Sequence, residues 1–313
     1  MSSDHTCPIL STCTTAPTNT ILGVSTNGEL VHQSILLKCV LGLVHRVPNL
    51  LVSRAPSSLL RGLARGAGGM AGLGRGRIGL PAQVLPGDRK FFVCVPKTSG
   101  GFVYFGDGLL LDYRVAKYML YTPLVTSPSE PDEYFISVKS IKINGGAVDF
   151  DGSLLSFDEN GYGGTKLSTV VAYTTLETSI YKAFTKAFVG EATTGFGFNM
   201  SRVASVAPFE YCFLNSKSVP VIDLVLQSEM VKWRIHGWNS MVNVSDDVMC
   251  LGFLDGGVMN QTTSAVIVIG GNHLENNLVE FDLEGSRLGF SSLLDKQSWC
   301  SDFSSLGGES RSW

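Results

Sequence analysis

Short apolar runs recur along this chain about every ten residues, punctuated by Gly, Pro, Asn and Asp, and that rhythm commits it to a mainly β architecture. Lys90–Val95, Gly101–Phe105, Ala116–Tyr121, Tyr134–Ile143 and Ala147–Phe150 read as strands. So do Val219–Val225, Val231–His236, Ser240–Val244 and the fully apolar Ala265–Ile269, which runs into Gly270-Gly271. Leu278–Leu283 and Arg287–Phe290 form a closing hairpin. Near the start, Leu22–Leu37 carries β-type residues around Thr26-Asn27-Gly28-Glu29, which predicts a hairpin turning there. Residues 1–20 read as loop, Ser57–Ala64 as a short helix, and Ser127–Asp132 as an exposed link between two parts of the chain.

One stretch breaks the β rhythm. Gly163 to Leu176 reads as a strand and a turn, and Glu177–Phe188 as the helix that follows. Ile180, Phe184, Ala187 and Phe188 fall on one face at helical spacing, and Thr174 and Glu177 have the spacing of a capping box. Residues 192–207 read as loop. The Gly-rich stretch from Gly68 to Gln83 invites a phosphate-loop reading, but it has no Gly-Lys-Ser/Thr and no βαβ context. Its glycines fit better with two chain segments crossing closely.

At 313 residues and 44% hydrophobic, the chain can bury one large core or two smaller ones. A net charge of −3 gives no electrostatic case for nucleic acid. No apolar run is long enough to span a membrane, and no secretory leader is evident in the sequence as written. The seven cysteines have no metal-type spacing; they are either buried thiols or a disulfide framework with one left over. Sequons at Asn199, Asn243 and Asn260 add weight to the secretory route.

Several segments together resemble pepsin-like proteases. Met70–Gly74 is similar to the strand that crosses behind the first catalytic loop, and Val268–Gly271 to its equivalent in the second lobe. Tyr134–Ile141 resembles the strand that opens the second lobe, and Val279–Asp282 with Arg287–Phe290 the family's closing hairpin. Closer still is the plant group of xylanase inhibitors, extracellular dermal glycoprotein, xyloglucanase inhibitors and basic 7S globulin. Gly72-Leu73-Gly74-Arg75, Phe105-Gly106-Asp107-Gly108, Gly161–Lys166 and Arg202–Phe209 look like that group. The resemblance implies a pepsin-like fold of two β lobes, residues 1–121 and 122–313, with the first lobe N-terminally incomplete. The family's first strands and first catalytic loop have no counterpart here. Arg54 stands where a family cysteine is expected, and residues 31–46 match poorly.

On the family pattern Ser168 takes the place of the second catalytic aspartate and Val170 that of the following glycine. Pepsin chemistry needs two carboxylates sharing a proton, and neither Asp-Thr-Gly nor Asp-Ser-Gly occurs in this sequence. A serine hydroxyl does not ionise near neutral pH, and the five histidines show no spacing that marks a base for it. Ser168 therefore reads as a structural hydroxyl, and His273 as a surface residue. The resemblance implies an extracellular, non-enzymatic protein with no cofactor or metal, which binds a microbial or endogenous glycoside hydrolase. It also implies that Cys212 pairs with Cys250 and Cys94 with Cys300. Lys296 stands where such inhibitors carry a His or Arg that enters the glycosidase cleft; it is either that contact or a solvated lysine. Trp299 reads as a lid on the last disulfide. The alternatives are a basic-7S-globulin-like binding or storage protein, and an aspartic endopeptidase.

Overall fold

The structure, a computed structural model, describes residues 13–38, 44–63, 65–85, 87, 89–97, 101–106, 119–259, 265–291 and 300. Strands β1 (Thr14–Thr15), β2 (Thr18–Asn19), β3 (Val24–Ser25), β4 (Gly28–Lys38) and β5 (Val44–Arg54) come first. β4 lies between β1 and β5 in an antiparallel sheet, and β2 pairs with β3. The turn at Thr26–Glu29 thus joins two ladders rather than closing a hairpin. β4 instead pairs along its length with β5, from Glu29 opposite Arg54 to Lys38 opposite Val44. A ladder of that length outweighs the short pairing a turn at Asn27-Gly28 would give.

Ser57–Leu60 is a single 3-10 turn, and Leu80–Val84 a short helix. The glycine-rich segment between them is crowded only in part. A Cβ on Gly79 would stand 2.2 Å from the Gly74 carbonyl oxygen, whereas Gly68, Gly69 and Gly72 have open space around them. Met70–Gly74 forms no strand. It is fixed instead by the Tyr134 hydroxyl donating to the Leu73 carbonyl at 2.6 Å and the Leu80 amide donating to the Gly72 carbonyl at 2.8 Å.

The remaining strands are β6 (Lys90–Cys94), β7 (Phe102–Phe105), β8 (Met119–Val125), β9 (Phe135–Ile136), β10 (Ser140–Ile143), β11 (Gly146–Ala147), β12 (Thr165–Leu167) and β13 (Thr174–Leu176), followed by β14 (Arg202–Val203), β15 (Cys212–Leu214), β16 (Ile222–Val225) and β17 (Lys232–Ile235). β18 (Met241–Asn243), β19 (Val248–Leu251), β20 (Phe253–Asp255), β21 (Ile267–Ile269), β22 (Leu278–Asp282) and β23 (Arg287–Ser291) complete the set. Ten of them make one sheet in the order β20-β13-β21-β12-β9-β8-β23-β22-β6-β7. Its strands come from far apart in the chain: β22 pairs with β6, Leu278 opposite Cys94 and Asp282 opposite Lys90. Two four-stranded sheets, β11-β10-β16-β17 and β14-β15-β19-β18, complete the second part.

The core follows from the strand alternation. Phe91 stacks on Phe281 at 4.7 Å, Tyr134 meets Phe281 at 4.5 Å, and Trp233 stacks on Phe290 at 4.7 Å. Buried aromatic pairs of this kind contribute about 0.5–1.5 kcal/mol each beyond their area. The helix Thr178–Thr194 is longer than the predicted span and buries Ile180, Phe184 and Phe188, with Phe184 against Phe253 at 4.5 Å. Glu177 is its N-cap, its carboxylate accepting from the amides of Ser179 and Ile180. Thr174 takes no part in the cap, because it is buried in β13.

Candidate functional site

Three strands set the geometry around Ser168. β21 runs between β12, to which it is parallel, and β13, to which it is antiparallel. Thr165 lies opposite Ile267, Leu167 opposite Ile269, and the Ser168 amide donates to the Ile269 carbonyl at 2.9 Å. The chain then leaves the sheet as a loop, Ser168 to Tyr173, and returns as β13. Gly270 sits where the loop passes over β21: a Cβ there would stand 2.4 Å from the Tyr173 carbonyl carbon. No residue but glycine allows that approach.

The Ser168 hydroxyl accepts from the amides of Val170 and Val171, both at 3.2 Å. This is a local serine turn, in which the side-chain oxygen takes up backbone donors that the loop leaves open. Val170 is 43% exposed at the loop tip. Beside the loop, the Gly271 and Asn272 amides donate to the Val171 and Ala172 carbonyls at 2.7 and 2.9 Å. The backbone of the loop is thus satisfied from both sides. The side-chain oxygen it holds is that of a neutral hydroxyl.

His273 is buried, not exposed as its place after a glycine pair suggests; it is 1% accessible. It follows β21 on a four-residue helical turn, Gly271–Leu274, that folds it under the sheet against Phe253 at 4.4 Å. Its Nδ1 hydrogen-bonds the Thr174 hydroxyl. That hydroxyl also accepts from the Gly270 amide at 3.0 Å. The Nε2 of the ring has no hydrogen-bond partner among the described residues. Burial pushes its pKa down to about 3. No hydrogen bond joins His273 to Ser168, and neither amide on Ser168 belongs to a histidine. The pair is not a nucleophile with its base. The Thr174–His273 contact was legible only as a histidine following an apolar strand.

Cys94 is bonded to Cys300 and Cys212 to Cys250, all fully buried. Cys13 is disulfide-bonded as well. Cys212 and Cys250 face each other across β15 and β19, while Cys94 ends β6. Asn199 and Asn243 are exposed. Lys296, Trp299 and Asn260 lie outside the described residues. Among the described residues, no group of three or more His, Cys, Asp or Glu is placed to hold a metal, and no helix is long and apolar enough to cross a membrane.

Residues 133–292 match the family model of the xylanase inhibitor C-terminal domain and residues 1–107 that of the N-terminal domain. A probable aspartic proteinase GIP2 of Nicotiana benthamiana is 46% identical over 93% of this chain and 72% of its own length. Gamma conglutin 1 of Prunus dulcis is 35% identical over 96% of this chain and 74% of its own. Among solved structures, that of edgp is similar with a TM-score of 0.80 at 44% identity, covering 90% of this chain and 74% of edgp. Basic 7S globulin from soybean has a TM-score of 0.77 at 34% identity, covering 93% and 75%. The parallel–antiparallel crossing around β21, the ten-stranded sheet that joins β6 to β22 and these likenesses together place the chain in the xylanase-inhibitor family of pepsin-like β proteins.

Proposed function

We propose that this protein is a non-proteolytic, extracellular inhibitor of cell-wall-degrading glycoside hydrolases, a xylanase or a xyloglucan endoglucanase, in plant defence. The observation that carries the reading is the Ser168 hydroxyl, engaged by its own turn, in a chain both of whose halves match xylanase-inhibitor models. The lobes we propose, residues 1–121 and 122–313, meet within β8, one of the strands of the shared sheet. Glycans on Asn199, Asn243 and Asn260 belong to the same reading.

Lys296 is the contact we propose. A lysine ammonium entering a glycosidase cleft would meet the two carboxylates that flank the scissile bond. Lys296→Ala should then weaken binding by about 2–5 kcal/mol if the charge is buried and paired, against about 0–1 kcal/mol at a wet rim. Titration of the protein and this variant against fungal xylanases and xyloglucanases tests both levels. Inhibition of no member of such a panel would refute the inhibitor reading. A target bound equally well by the variant would refute the role of Lys296 alone.

The relatives named gamma conglutin and basic 7S globulin favour a second reading, a seed binding or storage protein. Accumulation in seeds without glycosidase inhibition would support it. The relatives named aspartic proteinase raise a third, which pepstatin-sensitive cleavage of a peptide by the pure protein would support.

A further inference from the structure

A cavity of about 360 Å³ lies away from Ser168, between the segment that follows β6 and the start of β16, β18 and their connections. Lys97, Ser216, Lys217, His236, Trp238 and Asn243 are among its lining residues. Trp238 is 42% exposed, and its indole stacks on the His236 ring at 4.6 Å and 18°. The Lys97 ammonium donates to the Trp238 carbonyl at 3.2 Å. The indole is therefore held as a platform, one face on His236. Lys97, Lys217 and Asn243 are exposed beside it, so the cavity is an open cleft. The Glu275 carboxylate lies within electrostatic reach of Lys97; it is half-buried, and desolvation raises its pKa.

From this arrangement we propose that the cleft binds an acidic saccharide, a short run of uronic acid residues. The C–H face of a pyranose suits the negative face of an indole. Two ammonium groups suit carboxylates repeated along the sugar chain. The Asn243 amide can pair with sugar hydroxyls, and the Ser216 hydroxyl, which donates to the Ser218 carbonyl at 2.9 Å and accepts from the Ser218 amide at 3.2 Å, keeps one lone pair for a further sugar hydroxyl. An open cleft also admits the middle of a polymer, whereas a nucleobase is better served by an enclosed slot. The inference does not depend on glycosidase inhibition, and its test measures no inhibition.

The experiment is calorimetric titration of the full chain with trigalacturonate, with neutral xylotriose and AMP as comparison ligands. Trp238→Ala and the double variant Lys97→Met/Lys217→Met are run beside it; all three positions are exposed, and circular dichroism confirms folding. Saturable trigalacturonate binding is expected, weakened at least about tenfold by either variant and at least about tenfold tighter than xylotriose. It should fall as salt rises. No saturable binding, binding unchanged in both variants, or AMP binding tighter than trigalacturonate would each overturn the proposal. Asn243 is also a sequon residue, so Asn243→Gln is included. Binding by that variant but not by the glycosylated chain would mean that the cleft holds the protein's own glycan, which overturns it as well.

Discussion

Acid should unfold this protein partly through one ring. His273 is buried against Phe253, shares a hydrogen bond with the Thr174 hydroxyl at Nδ1, and has its pKa pushed down to about 3. In the unfolded chain the same ring titrates near 6.5. A histidine with a depressed folded pKa gives stability that is present above its unfolded pKa and is lost as pH falls towards the folded value. Taking those two values, protonation of the unfolded chain should remove about 3 kcal/mol between pH 7 and pH 4. His273→Gln isolates this share. Glutamine does not titrate, and its side-chain carbonyl can still accept from Thr174. At pH 7 the variant should be less stable by about 1–2 kcal/mol, from lost packing on Phe253. At pH 4 it should match or exceed the unmutated protein. Urea denaturation of both proteins, followed by circular dichroism at half-unit pH steps, gives the difference directly. Carboxylates common to the two cancel in it. Parallel stability profiles from pH 7 to pH 4 would refute the neutral, buried His273.

Replacing Cys212 and Cys250 by serine removes a closure spanning 38 positions and should cost about 4 kcal/mol on the chain-entropy model, read as a lower urea midpoint. Glu280 is fully buried; it accepts from the Tyr121 hydroxyl at 2.9 Å, and burial raises its pKa. Because the fold favours its protonated form, Glu280→Gln should stabilise the protein at pH 7, and the gain should fade as pH falls towards the carboxylate range of about 4.3, which paired thermal melts would show. Ser168→Ala should cost about 1 kcal/mol, by leaving the Val170 and Val171 amides without their acceptor. Ser168→Asp should gain no pepstatin-sensitive peptide cleavage at acid pH, since one carboxylate does not make a proton-sharing pair; cleavage by the variant would show that a partner carboxylate is present, and cleavage by the unmutated protein would sink the non-proteolytic reading.

Strand rhythm made the β architecture legible, and the apolar run into Gly270-Gly271 made the central crossing strand legible, because full burial demands continuous apolar residues. The pairings were not. The Thr26–Glu29 turn chemistry pointed to a hairpin there, and the longer ladder that β4 makes with the next strand, β5, decided otherwise. The capping-box spacing of Thr174 and Glu177 was equally local, and Thr174 is claimed by β13 and His273 instead. Met70–Gly74 has the residues of a strand but is held by a tyrosine hydroxyl from elsewhere in the chain. At the site, Ser168 could be named from its place in a pattern. The burial of His273 could not, since it depends on the course of the chain after Gly271. The cleft around Trp238 is assembled from segments scattered between Lys97 and Met249, which no spacing brings together.

The Cys94–Cys300 bond makes a covalent ring of the chain between those two residues. Ser127 to Asp132, mostly exposed, lies inside that ring. Exposed loops of this kind are where proteases cut first. A cut there would open the ring without releasing either piece. The fragments would stay joined through Cys94 and Cys300, and β6 would remain zipped to β22. Such a nicked molecule would run as one band on a denaturing gel until a thiol was added, then as two. The protein would thus lose a peptide bond in this link and keep its two pieces together, a form of damage tolerance set by where the last cysteine is anchored.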